Sequence, residues 1–361
     1  MTRPRTLIIA EAGVNHSGSL ETALALVDAA ADAGADIVKF QTFNANSLAG
    51  RSAPKADYQQ RTTDAAESQL AMLQRLELPQ SAHRQLIARA KQRGIEFLST
   101  PFDPQSLEFL LSLKLPRIKI GSGDLTNAPL LHELAKADAT VILSTGMATL
   151  GEVEEALGVL AHGYGGANDS PCIEAFRAAW RDPSARARLE EKVSLLHCTT
   201  EYPCPPEDVN LSAMHAMRAA FKLPVGYSDH TDGFEVSLAA VALGATIIEK
   251  HFTLRRADGG VDSAFSMEPE EFRQMRTETE RAWQALGRVS YGCTTAEKKS
   301  LAFRRSLYIS QDLPAGSMLS PDNVRVVRPG FGLPPKYFDL VMGRRVNRAV
   351  SRGEALVWEL L

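Results

Sequence analysis

The chain has little of what marks secreted, membrane-bound or nucleic-acid-binding proteins. Its 361 residues include four cysteines, whose spacing fits neither a disulfide framework nor a zinc motif. The net charge is −3 and no block of lysine or arginine occurs, so no nucleic acid and no membrane surface is expected as a partner. No apolar run approaches the roughly 18 residues that span a bilayer, and we expect no signal peptide, because the residues before the first predicted strand lack its apolar segment. We expect a reduced, cytoplasmic enzyme.

What the chain does contain is a regular alternation of strand-like and helix-like segments. Short β-branched or apolar runs are followed by segments with helical apolar spacing, eight times between Leu7 and Leu286. Eight such units most economically form a closed (β/α)8 TIM barrel, an α/β fold whose site lies at the carboxyl ends of the strands. A doubly wound open sheet is the alternative, but no Gly-x-Gly-x-x-Gly motif follows the first strand, which favours the barrel.

Other segments depart from this alternation. Residues 163–192 are typical of a surface insertion, loop-like at 163–166 and then helical. Residues 44–63 are polar and long for a loop, and long loops are usually functional. We predict a barrel domain over residues 1–290, a linker over 291–300 and a small β-rich domain over 301–361, where short strands and Pro/Gly-rich turns replace long helices.

Two neighbouring predicted strands each end in a histidine. The sequences are Gly-Tyr-Ser-Asp-His-Thr at 226–231 and Ile-Glu-Lys-His-Phe-Thr at 248–253. A single histidine beside a strand is more often a core or rim residue. Because the arrangement repeats on neighbouring parallel strands, His230 and His251 are expected to point into the same crevice. Imidazole is the commonest metal ligand, so a shared divalent metal site is the hypothesis.

Two lysines follow apolar residues on separate strands. Lys39 and Lys119 stand in Lys-Phe-Gln-Thr and Lys-Ile-Gly-Ser, beside amide or hydroxyl donors that together suit a phosphate or carboxylate. The turn at 144–146 leads into a helix and adds more donors for an anion. The alternative is that each lysine merely extends to solvent.

Two acids stand at functional positions of the predicted barrel. Glu11 ends the first strand, where it suits acid/base work or an ion pair with Lys39. Asp262 lies in a Gly-rich loop after the eighth strand, where it is either functional or a turn former. The remaining polar residues at strand ends are expected to face substrate as a set: Asn15, His16, Gln41, Ser99, Thr100, Ser122, Asp124, Ser144, Thr145, His197, Thr199, Tyr202, Asp229, Glu249 and Lys250.

Taken together, these strand ends resemble those of the sialic acid (N-acetylneuraminate) synthase family. The matching motifs are at 8–16, 38–42, 97–103, 119–124, 143–147, 197–199, 227–231 and 249–253. The tail sequences Arg-Arg-Ser-Leu at 304–307 and Val-Arg-Pro-Gly at 327–330 are similar to the family's small antifreeze-like (SAF, β-clip) domain. The resemblance covers nearly the whole chain apart from the insertion.

The resemblance implies a transferase that forms a nine-carbon keto acid. Phosphoenolpyruvate would condense with N-acetylmannosamine or a related 2-acetamido sugar, such as a 2,4-diacetamido-6-deoxy sugar, and phosphate would be released. His230 and His251 would hold a divalent cation that polarises the sugar aldehyde, Mn²⁺ in the first place and Mg²⁺ or Co²⁺ as alternatives. Phosphoenolpyruvate would be bound by one group of residues: Lys39, Lys119, Ser122 and Ser144, with Gln41 and Tyr202 close by.

The resemblance also implies how the sugar is held. Glu11 would orient substrate and assist proton transfer, and Asp262 would contact sugar hydroxyls. Arg328 would reach the N-acetyl group from the small domain of a partner subunit, which requires a domain-swapped homodimer.

Some positions depart from the sialic acid synthase pattern. Asp124 stands where many of these enzymes carry glutamate. The segments at 122–127, 53–59 and 67–69 are more similar to the legionaminic acid synthases, whereas Val-Asp-Ser-Ala-Phe-Ser at 261–266 is similar to the pseudaminic acid synthases. Legionaminic or pseudaminic acid synthesis is therefore the alternative specific activity.

Two hypotheses from other classes compete with this one. A non-catalytic carbohydrate-binding or ice-binding protein would use the small domain and keep the barrel as a scaffold, which needs neither the lysines nor the histidine pair. A barrel aldolase would use Lys119 or Lys39 as a Schiff-base nucleophile.

Overall fold

A computed structural model of the chain describes residues 4–48, 54–55, 59–60, 63, 67–166 and 170–361. The chain divides into two compact units, Met1–Gly287 and Arg288–Leu361. The first unit contains eight strands: β1 Leu7–Gly13, β2 Ile37–Thr42, β3 Glu96–Pro101, β4 Ile118–Ile120, β5 Val141–Ser144, β6 Val193–His197, β7 Val225–Asp229 and β8 Ile247–His251.

These strands form a single parallel sheet that curls into a barrel. The order is β3-β2-β1-β8-β7-β6-β5-β4, so strands consecutive in sequence are neighbours in space. β1 pairs in parallel with β2 on one side and with β8 on the other, and β3 lies beside β4 where the sheet closes on itself. This order confirms the (β/α)8 barrel and excludes the doubly wound sheet, in which the strand order would reverse direction.

Helices cover the outside of the barrel. They are α1 Leu20–Asp32, α2 Ala45–Leu48, α3 Gln69–Leu76, α4 Gln80–Arg93, α5 Pro104–Ser112, α6 Ala128–Lys136, α7 Leu150–Tyr164, α8 Ile173–Arg181, α9 Pro183–Lys192, α10 Ser212–Phe221, α11 Glu235–Ala242 and α12 Pro269–Ala285. Side-chain caps fix several starts. Asp103 accepts from the Ser106 amide ahead of α5, and Thr149 forms a capping box with Glu152 at α7.

The barrel has two apolar layers. A large core lies between the strands and the helices. Inside the barrel, one buried layer of aliphatic side chains closes the floor: Ile9, Ile37, Leu98, Ile142, Leu196 and Ile247. Side chains alternate along a strand, so the residue two positions beyond each floor residue points to the same interior, one layer nearer the carboxyl ends. In this way Glu11, Lys39, Ser144 and Glu249 enter the barrel mouth.

The ends of two strands bear on the site. β1 continues beyond Glu11 to Gly13, and β8 ends at His251. The ladder continues because the last strand residues pair with their neighbours, as Glu11 does with both Lys39 and His251. Glu11, Lys39 and His251 therefore lie on strands, which hold them more rigidly than loops would.

The insertion is helical over more of its length than predicted. Residues 163–166 are predicted to be a loop, but α7 continues to Tyr164. Gly163 is a packing residue, because a Cβ there would lie 2.5 Å from Ala135 Cβ on α6. The glycine lets α6 and α7 approach closely and does not mark a turn. Beyond it, α8 and α9 form the rest of the insertion.

The second unit is small and mostly β. Its strands β9 Ser306–Ile309 and β10 Val324–Val327 are antiparallel, and isolated bridges link residues 308 with 355 and 313 with 350. A short helix, α13 Phe338–Val341, packs into the aliphatic core of this unit. The predicted linker 291–300 runs into a 3₁₀ turn at Lys298–Phe303.

Two further observations bear on the predictions. The polar stretch 44–63 contains α2, while residues 49–53, 56–58 and 61–62, including most of the segment 53–59, lie outside the described residues. Among the helices of the described ranges, none has the length and apolarity required to cross a membrane.

Candidate active site

A buried ion network lies at the barrel mouth. Lys39 Nζ lies 2.8 Å from Glu249 Oε2 and 3.4 Å from Glu11 Oε2, while Lys119 Nζ lies 3.8 Å from the other oxygen of Glu249. Ser228 donates to Glu249 at 2.8 Å. Glu249 therefore joins the two lysines across the mouth. The ion pair with Lys39 that the sequence offers as one role of Glu11 is present, and Glu249 is the second carboxylate partner of this lysine.

The network sets the protonation of its members. Burial opposes ionisation of Glu249, but Lys119 and Lys39 outweigh it and lower the pKa of this carboxyl. Burial likewise opposes the charge of Lys39, yet Glu11 and Glu249 outweigh it and raise the pKa of Lys39. Burial lowers the pKa of Lys119 to about 8, because Glu249 compensates it only in part. At neutral pH both ammonium groups are charged.

Glu11 is the least firmly ionised member of the network. Burial and then Glu249 raise the pKa of Glu11 to about 7, against the opposing effect of Lys39. Lys39 Nζ lies closer to Glu249 than to Glu11. Gln41 Nε2 donates to Glu11 Oε1 at 3.3 Å. A carboxyl with this pKa can both give and take a proton at neutral pH.

An anion cradle, formed by Lys119, Ser122, Ser144 and Gly146, lies on the β4–β5 side of the mouth. Lys119 Nζ donates to Ser144 Oγ at 2.6 Å, and the Gly146 amide donates to Ser122 Oγ at 3.0 Å. A Cβ on Gly146 would lie 2.4 Å from Thr200 Oγ1 and 2.8 Å from Ser122 Oγ. Only glycine therefore fits at position 146. The ammonium and the neutral donors of the cradle together suit an oxyanion.

The histidine pair, His230 and His251, lies on the β7–β8 side. Their ring centroids are 5.6 Å apart, and both side chains are buried. The Nδ1 atom of His230 lies 2.7 Å from the Thr199 carbonyl, which fixes the ring through that nitrogen. Burial lowers the pKa of His230 to about 4 and the pKa of His251 well below its ordinary value. Both imidazoles are therefore neutral at pH 7, the form that binds metals.

An aromatic wall, Tyr202 and Phe265, stands against the histidine pair. The Tyr202 ring lies 4.2 Å from the His230 ring, and the Phe265 ring lies 4.9 Å from the His251 ring, between centroids. The two wall residues are 5.2 Å apart. On this side of the mouth, aromatic rings therefore pack against both imidazoles.

Asp262 faces the same space from the loop after β8. Its Oδ2 lies 3.9 Å from His251 Nδ1. A Cβ on Gly13 would lie 3.3 Å from Glu11 Oε1, 3.3 Å from Gln41 Nε2 and 3.5 Å from Asp262 Oδ2, so these three polar groups converge on one point. Burial, and then Glu11, raises the pKa of Asp262 to about 7.

The donor set of the histidine pair is compatible with a divalent cation. His251 Nδ1 is buried without a hydrogen-bond partner among the described residues. Two neutral imidazoles with a carboxylate nearby suit a first-row divalent ion such as Mn²⁺. Over the described ranges, no three His, Cys, Asp or Glu side chains meet as a closed cage. Such an ion would keep coordination positions for other ligands, as in catalytic sites.

The structure brings most of the predicted site residues together at one end of the barrel: Glu11, Lys39, Gln41, Lys119, Ser122, Ser144, Tyr202, His230, His251 and Asp262. Two predicted residues have other surroundings. Asp124 is half-buried and accepts from Asn127 Nδ2 at 2.9 Å, and burial raises its pKa. Arg328 lies exposed on the second unit.

Some strand-end residues expected to face substrate do not. Asp229 and Lys250 form their own buried ion pair at 3.2 Å, because strand alternation turns them away from the barrel interior. Asn15 donates to the Phe252 carbonyl at 2.8 Å and so holds backbone together. Conversely, the sequence names Glu249 only as one member of the strand-end set, and it does not name Ser228 or Phe265 as site residues. The signal for Glu249 is its position two residues before His251, on the same face of β8.

The chain is similar to known proteins over nearly its whole length. The NeuB family model matches residues 26–291, and the SAF domain model matches residues 304–361. An N,N'-diacetyllegionaminic acid synthase of Campylobacter jejuni is 44% identical over 353 residues, covering 98% of this chain and 99% of that protein. A pseudaminic acid synthase of the same species is 35% identical over 359 residues, covering 98% and 96%.

A solved structure is similar as well. The N-acetylneuraminic acid (sialic acid) synthetase of Leptospira borgpetersenii, crystallised with citrate, is 34% identical, with a TM-score of 0.65. The similarity covers 83% of this chain and 91% of that one. The resemblance drawn from the strand-end motifs is thereby confirmed: the chain belongs to the NeuB family and carries a C-terminal SAF domain.

Proposed function

We propose that this protein is a nonulosonic acid synthase that condenses phosphoenolpyruvate with a 2-acetamido sugar and releases phosphate. The observation that carries the proposal is the placement of two charged lysines and two neutral histidines at one barrel mouth. A multiply charged enol phosphate requires the lysines, and an aldehyde acceptor requires an electrophilic activator beside them. Relatives named as legionaminic, pseudaminic and sialic acid synthases support this function.

The anion cradle and Lys39 bind phosphoenolpyruvate in this proposal. Lys119, Ser122 and Ser144 supply an ammonium and two hydroxyls, and the absence of a side chain at Gly146 lets its backbone approach Ser122 closely. Glu249 lies between the two lysines and favours their charged forms before substrate arrives. Lys39 is positioned to hold the substrate carboxylate, with Gln41 and Tyr202 close to the same space.

The reaction joins C3 of phosphoenolpyruvate to C1 of the open-chain sugar. The aldehyde oxygen takes a proton, water adds at C2, and phosphate leaves by C–O cleavage to give the keto acid. Glu11, with its pKa near 7, moves the proton between water and substrate. His230 and His251 would hold the divalent cation, proposed to be Mn²⁺, and Asp262 lies beside them. When bound, the cation supplies Lewis acidity toward the aldehyde.

The sugar is proposed to be of the 2,4-diacetamido-6-deoxy type. The support is the 44% identity to a diacetyllegionaminic acid synthase over nearly the whole chain. N-acetylmannosamine is the competing substrate.

The working unit is proposed to be a domain-swapped homodimer in the cytoplasm. Arg328, exposed on the second unit, would reach the N-acetyl group in the partner's barrel. The cysteines are free, and Cys172 and Cys293 are exposed, which suits a reducing compartment. Mixing an Arg328→Ala variant with a His230→Ala variant tests the swap, because hybrid dimers would regain one intact site. No regain of activity would contradict it.

The proposed function is tested by incubating the purified protein with phosphoenolpyruvate, Mn²⁺ and each sugar. We expect sugar-dependent phosphate release with formation of a keto acid. Borohydride treatment in the presence of substrate distinguishes this function from that of a Schiff-base aldolase. A covalent adduct at Lys39 or Lys119 would support the aldolase and contradict our proposal. Absence of phosphate release with every sugar would favour the non-catalytic class.

A further inference from the structure

The loop after β8 is held in place by a buried polar clamp. Asn15 Nδ2 donates to Ser266 Oγ at 2.9 Å, and Ser263 Oγ lies 3.3 Å from Asn15 Oδ1. Ser266 Oγ in turn donates to the Asp262 carbonyl at 2.6 Å. Asn15, Ser263 and Ser266 are all buried. The clamp therefore fixes both ends of the segment that carries Asp262 and Phe265.

The clamped loop presents one polar and one apolar side chain to the barrel mouth. Asp262 points toward His251 Nδ1, and Phe265 packs edge-on against the His251 ring at an interplanar angle of 76°. Phe265 also faces Tyr202, so the aromatic wall spans both histidines. A sugar whose aldehyde lies at the histidine pair must therefore run along this wall.

The chemistry of the wall decides which part of a sugar suits it. A sugar hydroxyl pressed against Phe265 loses water and gains no hydrogen bond from the ring, which is unfavourable. A methyl group in the same place gains apolar burial. Hydroxyls instead find partners at Asp262 and Gln41, on the polar side of the same space.

We propose that Phe265 is a specificity-determining residue whose ring, set by the Asn15 clamp, binds a methyl group of the sugar substrate. The inference rests on the proposed function and sharpens its substrate class. A 2,4-diacetamido-6-deoxy sugar has two kinds of methyl group that fit, the acetamido methyl and the C6 methyl. Asn15 is a positioning residue in this account, because it acts on substrate only through the loop.

Two substrate pairs distinguish the sources of the methyl group. The first pair is N-acetylmannosamine and N-formylmannosamine, which differ only by the acetamido methyl group. The second pair is 6-deoxy-N-acetylmannosamine and N-acetylmannosamine, which differ only in that the first has a hydrogen in place of the C6 hydroxyl. For the unmodified holoenzyme with Mn²⁺, we expect kcat/KM to favour the methyl-bearing member of at least one pair by about tenfold.

Substitution of Phe265 should abolish that preference. In Phe265→Ala the ratio should fall to within about twofold of one, whereas Phe265→Leu, which keeps apolar bulk, should retain most of it. Asn15→Ala should reduce the same ratio while leaving the KM for phosphoenolpyruvate unchanged, a split that general destabilisation would not produce. Thermal melting of each variant checks that it is folded.

The outcomes separate the inference from the proposed function. Ratios near one in the unmodified enzyme, or ratios unchanged in Phe265→Ala, overturn the inference while phosphate release still supports the function. Absence of phosphate release from phosphoenolpyruvate with all three sugars and with a 2,4-diacetamido-6-deoxy sugar overturns the proposed function, and the inference falls with it.

Discussion

The two sides of the barrel mouth are built from different kinds of side chain. On the β4–β5 side, the anion cradle combines an ammonium with hydroxyls and a backbone amide. On the β7–β8 side, the histidine pair and the aromatic wall present neutral imidazoles in an apolar setting. Burial acts on both sides, but it leaves Lys119 charged at neutral pH and keeps the histidines uncharged.

This contrast shows how one fold prepares for two unlike ligands. The cradle suits an oxyanion, because its ammonium and hydrogen-bond donors can replace the water that surrounds the anion in solution. The histidine side suits a cation, because neutral imidazoles have lone pairs to offer, and the bound cation would in turn attract a carbonyl oxygen. Lys39, Glu249 and Glu11 lie between the two sides, where carbon–carbon bond formation and proton transfer would take place.

The largest effect is expected from removing the histidine pair. The double variant His230→Ala, His251→Ala should lose at least about a thousandfold in kcat/KM, because the electrophilic activation of the aldehyde is lost. Phosphoenolpyruvate affinity, measured by calorimetry, should stay within about threefold, since the cradle is intact. Retention of full activity by this variant after chelation would remove the metal hypothesis.

Removing Lys119, the lysine of the anion cradle, should weaken phosphoenolpyruvate binding, which the histidine variant leaves nearly unchanged. Lys119→Ala should weaken phosphoenolpyruvate binding by about a hundredfold, the value of a charge-assisted hydrogen bond in a buried site. Lys91→Ala, at an exposed position near the end of α4, is the matched control and should bind normally. Equal weakening in both variants would show that general charge, and not the cradle, attracts the substrate.

The loss of activity at alkaline pH should also come from Lys119. The pKa of Lys119 is lowered to about 8, so its positive charge is present below that pH and lost as the pH rises through it. We expect kcat/KM for phosphoenolpyruvate to fall toward tenfold per unit above pH 8, while Lys39, with its raised pKa, stays charged. In Lys119→Arg any remaining activity should lack this fall. An identical alkaline fall in that variant would assign it to another group.

The insertion should matter to stability and not to either side of the mouth. Trp180 on α8 packs edge-on against Phe221 and lies under the Arg186 guanidinium. Trp180→Ala should lower the free energy of unfolding by about 2 kcal/mol, because the side chain is only half-buried. The kinetic constants for both substrates should be unchanged. A selective change in either constant would connect the insertion to the site.

The sequence predicts the fold well because the barrel is built from local repeats. Each strand–helix unit has its own apolar pattern, and the strand order follows from the order in sequence. The same logic places His230, His251, Lys39 and Lys119 at one end, since every strand has its carboxyl end there.

What the sequence could not predict depends on contacts across the closed barrel. Glu249 meets Lys39 and Lys119 only when distant strands curl together. The role of Asn15 arises from a loop more than 240 positions away in the chain, and no local pattern encodes it. Gly163 looks like a turn residue in sequence, and only the approach of α6 explains a glycine inside α7.

The most direct test of the two-sided site is Mn²⁺ binding, followed by electron paramagnetic resonance in three proteins. We predict that the unmodified chain binds the ion, that Lys119→Ala binds it with similar affinity, and that His230→Ala, His251→Ala does not bind it at the site. Undiminished binding by the histidine double variant, or loss of binding in the lysine variant alone, would contradict the division of the barrel mouth into an anion side and a cation side.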